Sequence, residues 1–425
     1  MSDALSVRQV ERLLVGLLVL ALPWYRVVAL DVGPISLSVV DVVIIVGGFL
    51  HFVSILQRHA LRKPPPLVVI GGGLLFFGAL GSLAATHNVA VSSQALASLL
   101  LKVVMMWLIV DAIENMRDLQ RMIVLYIVAS VAIAIPAIWQ QVTNVMGGMP
   151  LESVAGTFRA RNEMVTYIVP GFLMALALMM TPRGSRYRAK VFGVAAVLCF
   201  SAVVLCRGRA GVFIAAVLGV LVLFLRSRQI GSRARVIGIV VGAGILLAAI
   251  GIGVAFLDGG AISKLVNRYS IESVVGEAEN ERGSTFTRLL VMDGLLRAWS
   301  KSPYIGIGFG TFKERSPDYI EMGLLGRNVD VIQPHNTYLG LLAEAGPFAL
   351  GGLLLLVIQG VGVLRRYHSS SDSEQRLRIA VGMGFAAISL NLFTFDGLTR
   401  YVFWILLGLS LVVANRMKVQ SHGAR

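Results

Sequence analysis

His335 sits in the run Pro334-His335-Asn336-Thr337-Tyr338-Leu339, at the start of a long apolar stretch. A neutral imidazole at the mouth of an apolar bundle can take a proton from a hydroxyl nucleophile. A lone histidine is more often structural or a cap, so the placement after Pro334 and beside Asn336 carries the argument. Asn336 has two readings of equal weight: it positions His335, or it caps the helix that follows. Arginines form the second group. Arg207 and Arg209 interrupt two apolar runs in Cys206-Arg207-Gly208-Arg209-Ala210-Gly211, where a turn needs glycine but not two charges. Arg159, Arg161 and Arg400 occupy other short links, and Arg288 lies in a long polar segment. A guanidinium binds phosphate in two-pronged geometry, so arginines gathered at one face point to an anionic ligand. Lys102 lies inside an apolar run, and it either snorkels outward or pairs with a carboxylate. The first outward loop, around Asp31, has no paired carboxylates, and no His-Glu-x-x-His, Gly-x-Ser-x-Gly or phosphate-binding glycine loop occurs. Metal-dependent transfer and serine hydrolysis therefore have no visible machinery.

The elements that position these residues are membrane spans. The chain is 56% apolar and only 14% charged over 425 residues, against roughly 25% charged in soluble domains. Stretches long enough to cross a bilayer fall near Leu13–Leu30, Ile35–Leu56, Leu67–Ala85, Leu96–Ala112, Met122–Val142 and Val165–Thr181. Six more fall near Val191–Cys206, Gly211–Leu225, Val236–Leu257, Asn336–Leu364, Ile379–Leu392 and Tyr401–Ala414. The expectation is an all-α integral membrane protein of about twelve transmembrane helices, forming a single polytopic domain over residues 1–425. The first span is read as retained, because no small-residue cleavage site follows it. The net charge of +15 is concentrated in alternate loops, which the positive-inside rule explains without nucleic acid and which puts both termini in the cytoplasm. Arg161, Arg207, Arg209, Arg288 and His335 then face outward. Residues 258–334 form one long periplasmic loop between the ninth and tenth spans. Within it, Thr285–Ser300 has apolar residues at helical spacing, among them Phe286, Leu289, Leu290, Leu295, Leu296 and Trp299. That helix lies on the outer membrane face or packs on the bundle's own loops; both readings fit. Cys199 and Cys206 are about 10 Å apart along one helix, too far for a disulfide.

Several segments resemble the O-antigen ligase family of bacterial envelope enzymes, which also includes O-antigen polymerases and protein O-oligosaccharyltransferases. The stretch Pro334–Leu355 resembles the family's His-Asn-x-x-Leu-x-x-x-x-Glu-x-Gly signature. Arg288, Trp299 and Ser302–Gly310 resemble an upstream Arg…Pro-x-x-Gly-x-Gly pattern. Arg209-Ala210-Gly211 resembles a Ser-Arg-x-Gly element with Gly208 in place of serine, and Gly156–Asn162 resembles a further element. The resemblance implies an inner-membrane glycan transferase that takes its donor, a glycan on undecaprenyl diphosphate, at the periplasmic face. It implies no metal and no cofactor. Arg209 and Arg288, supported by Arg207, are the candidates to clamp the diphosphate, with Arg161 and Asn336 in support. His335 is the candidate base, giving inversion by direct displacement, with membrane lipids around the polyprenyl tail. A ligase, with lipid A-core as acceptor, fits the single long loop best; a polymerase using the same site is the alternative.

A twelve-helix transporter is the rival from another class. It predicts internal repeats and polar or broken helices at mid-membrane depth, and neither is visible.

Overall fold

The computed structural model describes residues 7–24, 29–32, 35–58, 64–146, 158, 161–180, 186–206, 208–227, 284–321, 331–365, 371–398 and 400–423. Eight helices lead up to the region of residues 228–283: α1 (Val7–Ala21), α2 (Val39–Arg58), α3 (Pro66–Gly81), α4 (Val89–Ala112), α5 (Met116–Met146), α6 (Arg161–Met179), α7 (Arg186–Leu205) and α8 (Arg209–Ser227). Five follow it: α9 (Ser284–Lys301), the single turn α10 (Phe312–Arg315), α11 (Thr337–Val361), α12 (Asp372–Asn391) and α13 (Tyr401–Gly423). Among the described residues, eight helices are long and apolar enough to cross a membrane: α2 to α8 and α11. The expected ninth span, Val236–Leu257, lies outside the described residues, as do 258–283 and 322–330 of the expected long loop.

The first expected span needs correcting. The helix ends at Ala21, not near Leu30, because Leu22-Pro23-Trp24 closes it as a 3-10 turn. Proline lacks the N–H that would continue the ladder. An antiparallel hairpin follows, with β1 (Ala29–Val32) paired to β2 (Ile35–Ser38) from Ala29↔Ser38 to Val32↔Ile35. Local capping marks other boundaries. The Asn88 side chain accepts from Val91 N–H at 3.2 Å to start α4, and Ser371 accepts from Glu374 N–H at 3.3 Å to start α12.

α6 is the axis of the bundle. It is buried over 94% of its length, with α5, α7, α8 and α12 packed around it. α2 is buried over only 22%, and Phe49, Phe52, Phe77, Phe213 and Val220 project outward. Exposed apolar side chains of this kind are what lipid covers.

α3 and α11 approach closely through small residues. A Cβ on Gly352 would meet Leu75 N at 2.4 Å and Gly71 O at 2.5 Å, and one on Gly78 would meet Ala349 N at 2.7 Å. Small residues let helix backbones approach where no hydrophobic force joins them. Gly352→Leu is expected to lower the thermal midpoint in detergent by an amount reflecting about 1–3 kcal/mol of overpacking. Gly351→Leu, whose Cβ meets nothing within 4 Å, is expected to leave it unchanged. Equal midpoints for both variants would refute this packing.

α9 packs inward. Val291, Leu295 and Ala298 are buried against Ile307, Phe312, Tyr319, Ile320 and Ala343, and a Cβ on Gly294 would meet Ile320 Cγ1 at 2.4 Å. Of the two readings left open, the helix packs on the protein's own loops. Leu289 and Leu296, two of the apolar residues that suggested it, are exposed.

Candidate active site

The site is assembled on a break in α11. Pro347 has no N–H to donate to Ala343 O, and Gly346 adopts φ 76°, ψ −177°. Two helical carbonyls are thereby released. Ile307 N–H donates to Ala343 O and Gly308 N–H to Glu344 O, each at 3.0 Å. The Glu344 carboxylate, itself buried, accepts from Gly310 N–H at 3.0 Å and Phe312 N–H at 2.9 Å. Gly306, Gly308 and Gly310 all have positive φ; a Cβ on Gly306 would meet Glu344 C at 2.3 Å. The glycine-rich segment and the Glu-x-Gly of the signature are thus two halves of one clamp. The clamp also carries α9, through Ile307 and Phe312.

His335 and Asn336 lie at the start of the same helix. Asn336 Oδ1 accepts from Leu339 N–H at 3.1 Å, so its side chain caps α11. Thr337 N–H donates to Leu392 O at 2.8 Å, its hydroxyl to Phe395 O at 2.6 Å, and Gly397 N–H donates to that hydroxyl at 2.8 Å. The helix start is tied at three points to the link before α13. His335 has φ 52°, the one positive φ outside glycine among the described residues. Histidine tolerates this region better than most residues, yet such conformations cost of order 1–3 kcal/mol and gather at functional sites. Burial pushes the His335 imidazole below its ordinary pKa, and the Arg288 guanidinium adds to that shift. Both causes favour the neutral ring, the form that accepts a proton.

The sequence-derived candidates therefore fall in two groups. His335, Asn336 and Arg288 come together, with Arg288 delivered by the first turns of α9. Arg161 and Arg209 are the first residues of α6 and α8. These starts are adjacent: a Cβ on Gly211 would meet Val165 Cγ1 at 1.9 Å. Glu163, two residues on from Arg161, pairs with Arg400 at 2.6 Å. Arg400 N–H donates to Gly397 O, which joins this group to the link that holds Thr337. Both groups occupy one end of the bundle. Arg207 lies outside the described residues.

A cavity of about 910 Å³ opens beside Pro334 and Thr337, between α4 and α11. Its walls include Ser93, Gln94 and Ser98 of α4, Gln333, Lys313 and Glu344, with Asp41 and Asp396. Lys102, whose setting the sequence left open, is buried behind it. Its ammonium donates to Ser98 O at 3.0 Å and lies 5.0 Å from the Tyr401 ring centroid. Tyr401 donates its hydroxyl to Asp41, which also accepts from Ser38 N–H at 3.0 Å and Ser38 Oγ at 2.7 Å. Burial raises the Asp396 pKa, while Arg400 and Lys102 pull it back. Asp41, Glu344 and Asp396 were missed as site residues. Glu344 was visible in the signature; Asp41 and Asp396 reach the site from segments far apart in sequence and carry no spacing signal.

Among the described residues one cluster has metal-ligand spacing. Glu11, His51 and Asp111 place their donor atoms within 4.8 Å of one another; His51 Nδ1 is 3.5 Å from Glu11 Oε1 and 3.7 Å from Asp111 Oδ2. These residues lie near the start of α1 and the ends of α2 and α4, at the opposite end of the bundle from His335.

Residues 194–354 match the family model described as O-antigen ligase. No curated protein matches the chain. The matched segment contains Arg209, Arg288, His335 and the whole clamp.

Proposed function

We propose that the chain, whose residues 194–354 match the family model described as O-antigen ligase, is a multi-pass inner-membrane transferase moving a glycan from undecaprenyl diphosphate to a hydroxyl of lipid A-core. The observation that carries the reading is His335: neutral, strained, half-buried, and set beside Arg288 at the mouth of the bundle. The acceptor oxygen attacks the anomeric carbon while the bond from that carbon to the diphosphate oxygen breaks, inverting the centre. The electron pair leaves with the diphosphate, and the acceptor proton passes to His335 Nδ1 or Nε2. Arg288 and Arg209 hold the diphosphate and stabilise the charge it gains. Arg207 assists from outside the described residues, and Arg161 adds positive potential at the start of α6. Asn336 fixes the helix start from which His335 projects. The reaction needs no metal, because the guanidinium groups supply the positive charge. The site faces the periplasm, and both termini are cytoplasmic.

The test is transfer by purified protein from an undecaprenyl-diphosphate glycan to lipid A-core in EDTA. Glycosylated lipid A is the expected product. Lengthening of the donor-linked glycan with none on lipid A would replace ligase by polymerase. Absence of both, with folded protein and native donor, would overturn the transferase reading.

A further inference from the structure

The charge around His335 is divided between two flanks. Arg288 of α9 acts on His335, and Arg161, Arg209 and Arg400 stand at the starts of α6, α8 and α13. The cavity between α4 and α11 is different: among the described residues its walls carry no arginine, and its charged members are Asp41, Glu344, Asp396 and Lys313. A diphosphate entering it would meet three carboxylates and one lysine. Neutral hydroxyls are the ligand this lining suits, because carboxylates, amides and serine hydroxyls together accept from and donate to them. Glu344 is occupied by two backbone N–H groups and Asp41 by Tyr401 and Ser38. Ser98 accepts from Lys102 through both its carbonyl and its hydroxyl oxygen, so Gln94, Gln333 and Asp396 are the walls turned to a ligand.

Resting on the transferase reading above, we propose that this cavity is the acceptor-sugar subsite, and that Gln94 and Asp396 bind the hydroxyls of a neutral saccharide and so present one of them to His335. Two observations meet here. The cavity reaches Pro334 and Thr337, the neighbours of His335 on both sides of the His335–Asn336 pair. Its volume of about 910 Å³ is near the top of the roughly 300–1,000 Å³ range of ligand pockets, room for a short oligosaccharide. Lys102 and Arg400 are positioning residues: their charges oppose the upward push that burial gives the Asp396 pKa.

The experiment uses the full chain in lipid nanodiscs and two readouts. The first is steady-state kinetics with donor and acceptor varied separately. Gln94→Ala and Asp396→Asn are expected to raise the acceptor KM about tenfold or more, as the loss of a hydrogen bond to a desolvated group does. kcat should stay within about threefold, with donor KM unchanged. The second is equilibrium binding of a lipid-free, phosphate-free acceptor oligosaccharide, which needs no turnover. Weaker binding to Gln94→Ala than to wild type, with Asn336-capped folding verified by an unchanged thermal midpoint, supports the subsite even if wild type transfers nothing; in that event only the transferase reading falls. An unchanged acceptor KM in both variants overturns the proposal, as does a rise in donor KM instead. So does equal oligosaccharide binding by wild type and Gln94→Ala.

Discussion

His335→Asn is expected to reduce glycan transfer by about 10²- to 10⁴-fold, the usual contribution of a positioned general base, without unfolding the protein. Asparagine is chosen because it accepts the left-handed backbone that position 335 requires and has no titratable nitrogen. The wild-type pH profile adds a second, independent expectation. His335 is held below its ordinary pKa, first by burial and then by Arg288. Activity should therefore rise with pH along a limb whose midpoint is below about 6.5, and be flat through neutrality. The linked stability runs the same way. The unfolded chain binds a proton at this residue more readily than the folded one, so stability is lost as pH falls from the ordinary histidine pKa through the lowered one. Removing the Arg288 charge by Arg288→Gln should move the activity limb upward, toward the ordinary value. A limb at or above the ordinary pKa in wild type, or full activity in His335→Asn, would refute the base assignment.

Gly346→Ala is expected to be severely destabilising although it adds one methyl group. At φ 76° and ψ −177° only glycine is comfortable, and the strain alone costs about 1–3 kcal/mol. The new Cβ would also meet Tyr304 O at 2.2 Å, within the segment that the break in α11 exists to receive. Relief requires Tyr304–Gly310 to withdraw, which strips the partners from Ala343 O, Glu344 O and the buried Glu344 carboxylate. An unsatisfied buried polar group costs about 1–3 kcal/mol, and more when charged. Because α9 rests on Ile307 and Phe312, Arg288 would be displaced with it. The measurement is paired: thermal unfolding in detergent and transfer activity on the surviving folded fraction. Both should fall. A midpoint within about 1 °C of wild type would mean that α11 is not clamped in this way.

Membrane character, the helical class and most helix positions were legible in the sequence, because burial in lipid requires long uninterrupted apolar runs and internally satisfied backbone. The resemblance to the O-antigen ligase family was legible too, through His335-Asn336, the glycine-rich Ser302–Gly310 and Glu344-Ala345-Gly346 in fixed order. Arg161 and Arg209 read as residues of short turns, whereas they are the first residues of α6 and α8. Periodicity located α9 but not its buried face: Leu290, Leu295 and Trp299 pack inward while Leu289 and Leu296 point outward. Hydropathy likewise overran α1, because Val27, Val28, Ala29 and Leu30 continue the apolar run beyond Pro23.

What the tertiary structure decided is which distant groups meet. Glu344 reads as one position in a motif; only the fold reveals it closing on Gly310 and Phe312. The carboxylates of Asp41 and Asp396, and Lys102 behind them, come from three segments whose separation in the chain says nothing of their meeting. The physical reason is that a span's composition is set by its contact with lipid, whereas a site at the end of the bundle is set by the relative height and rotation of its helices. Lys102 lies 13 residues into α4 from Val89, roughly 20 Å of helix rise, yet it meets Tyr401 at the very start of α13. That offset between helices hollows the cavity beside His335, and no pattern along the chain encodes it.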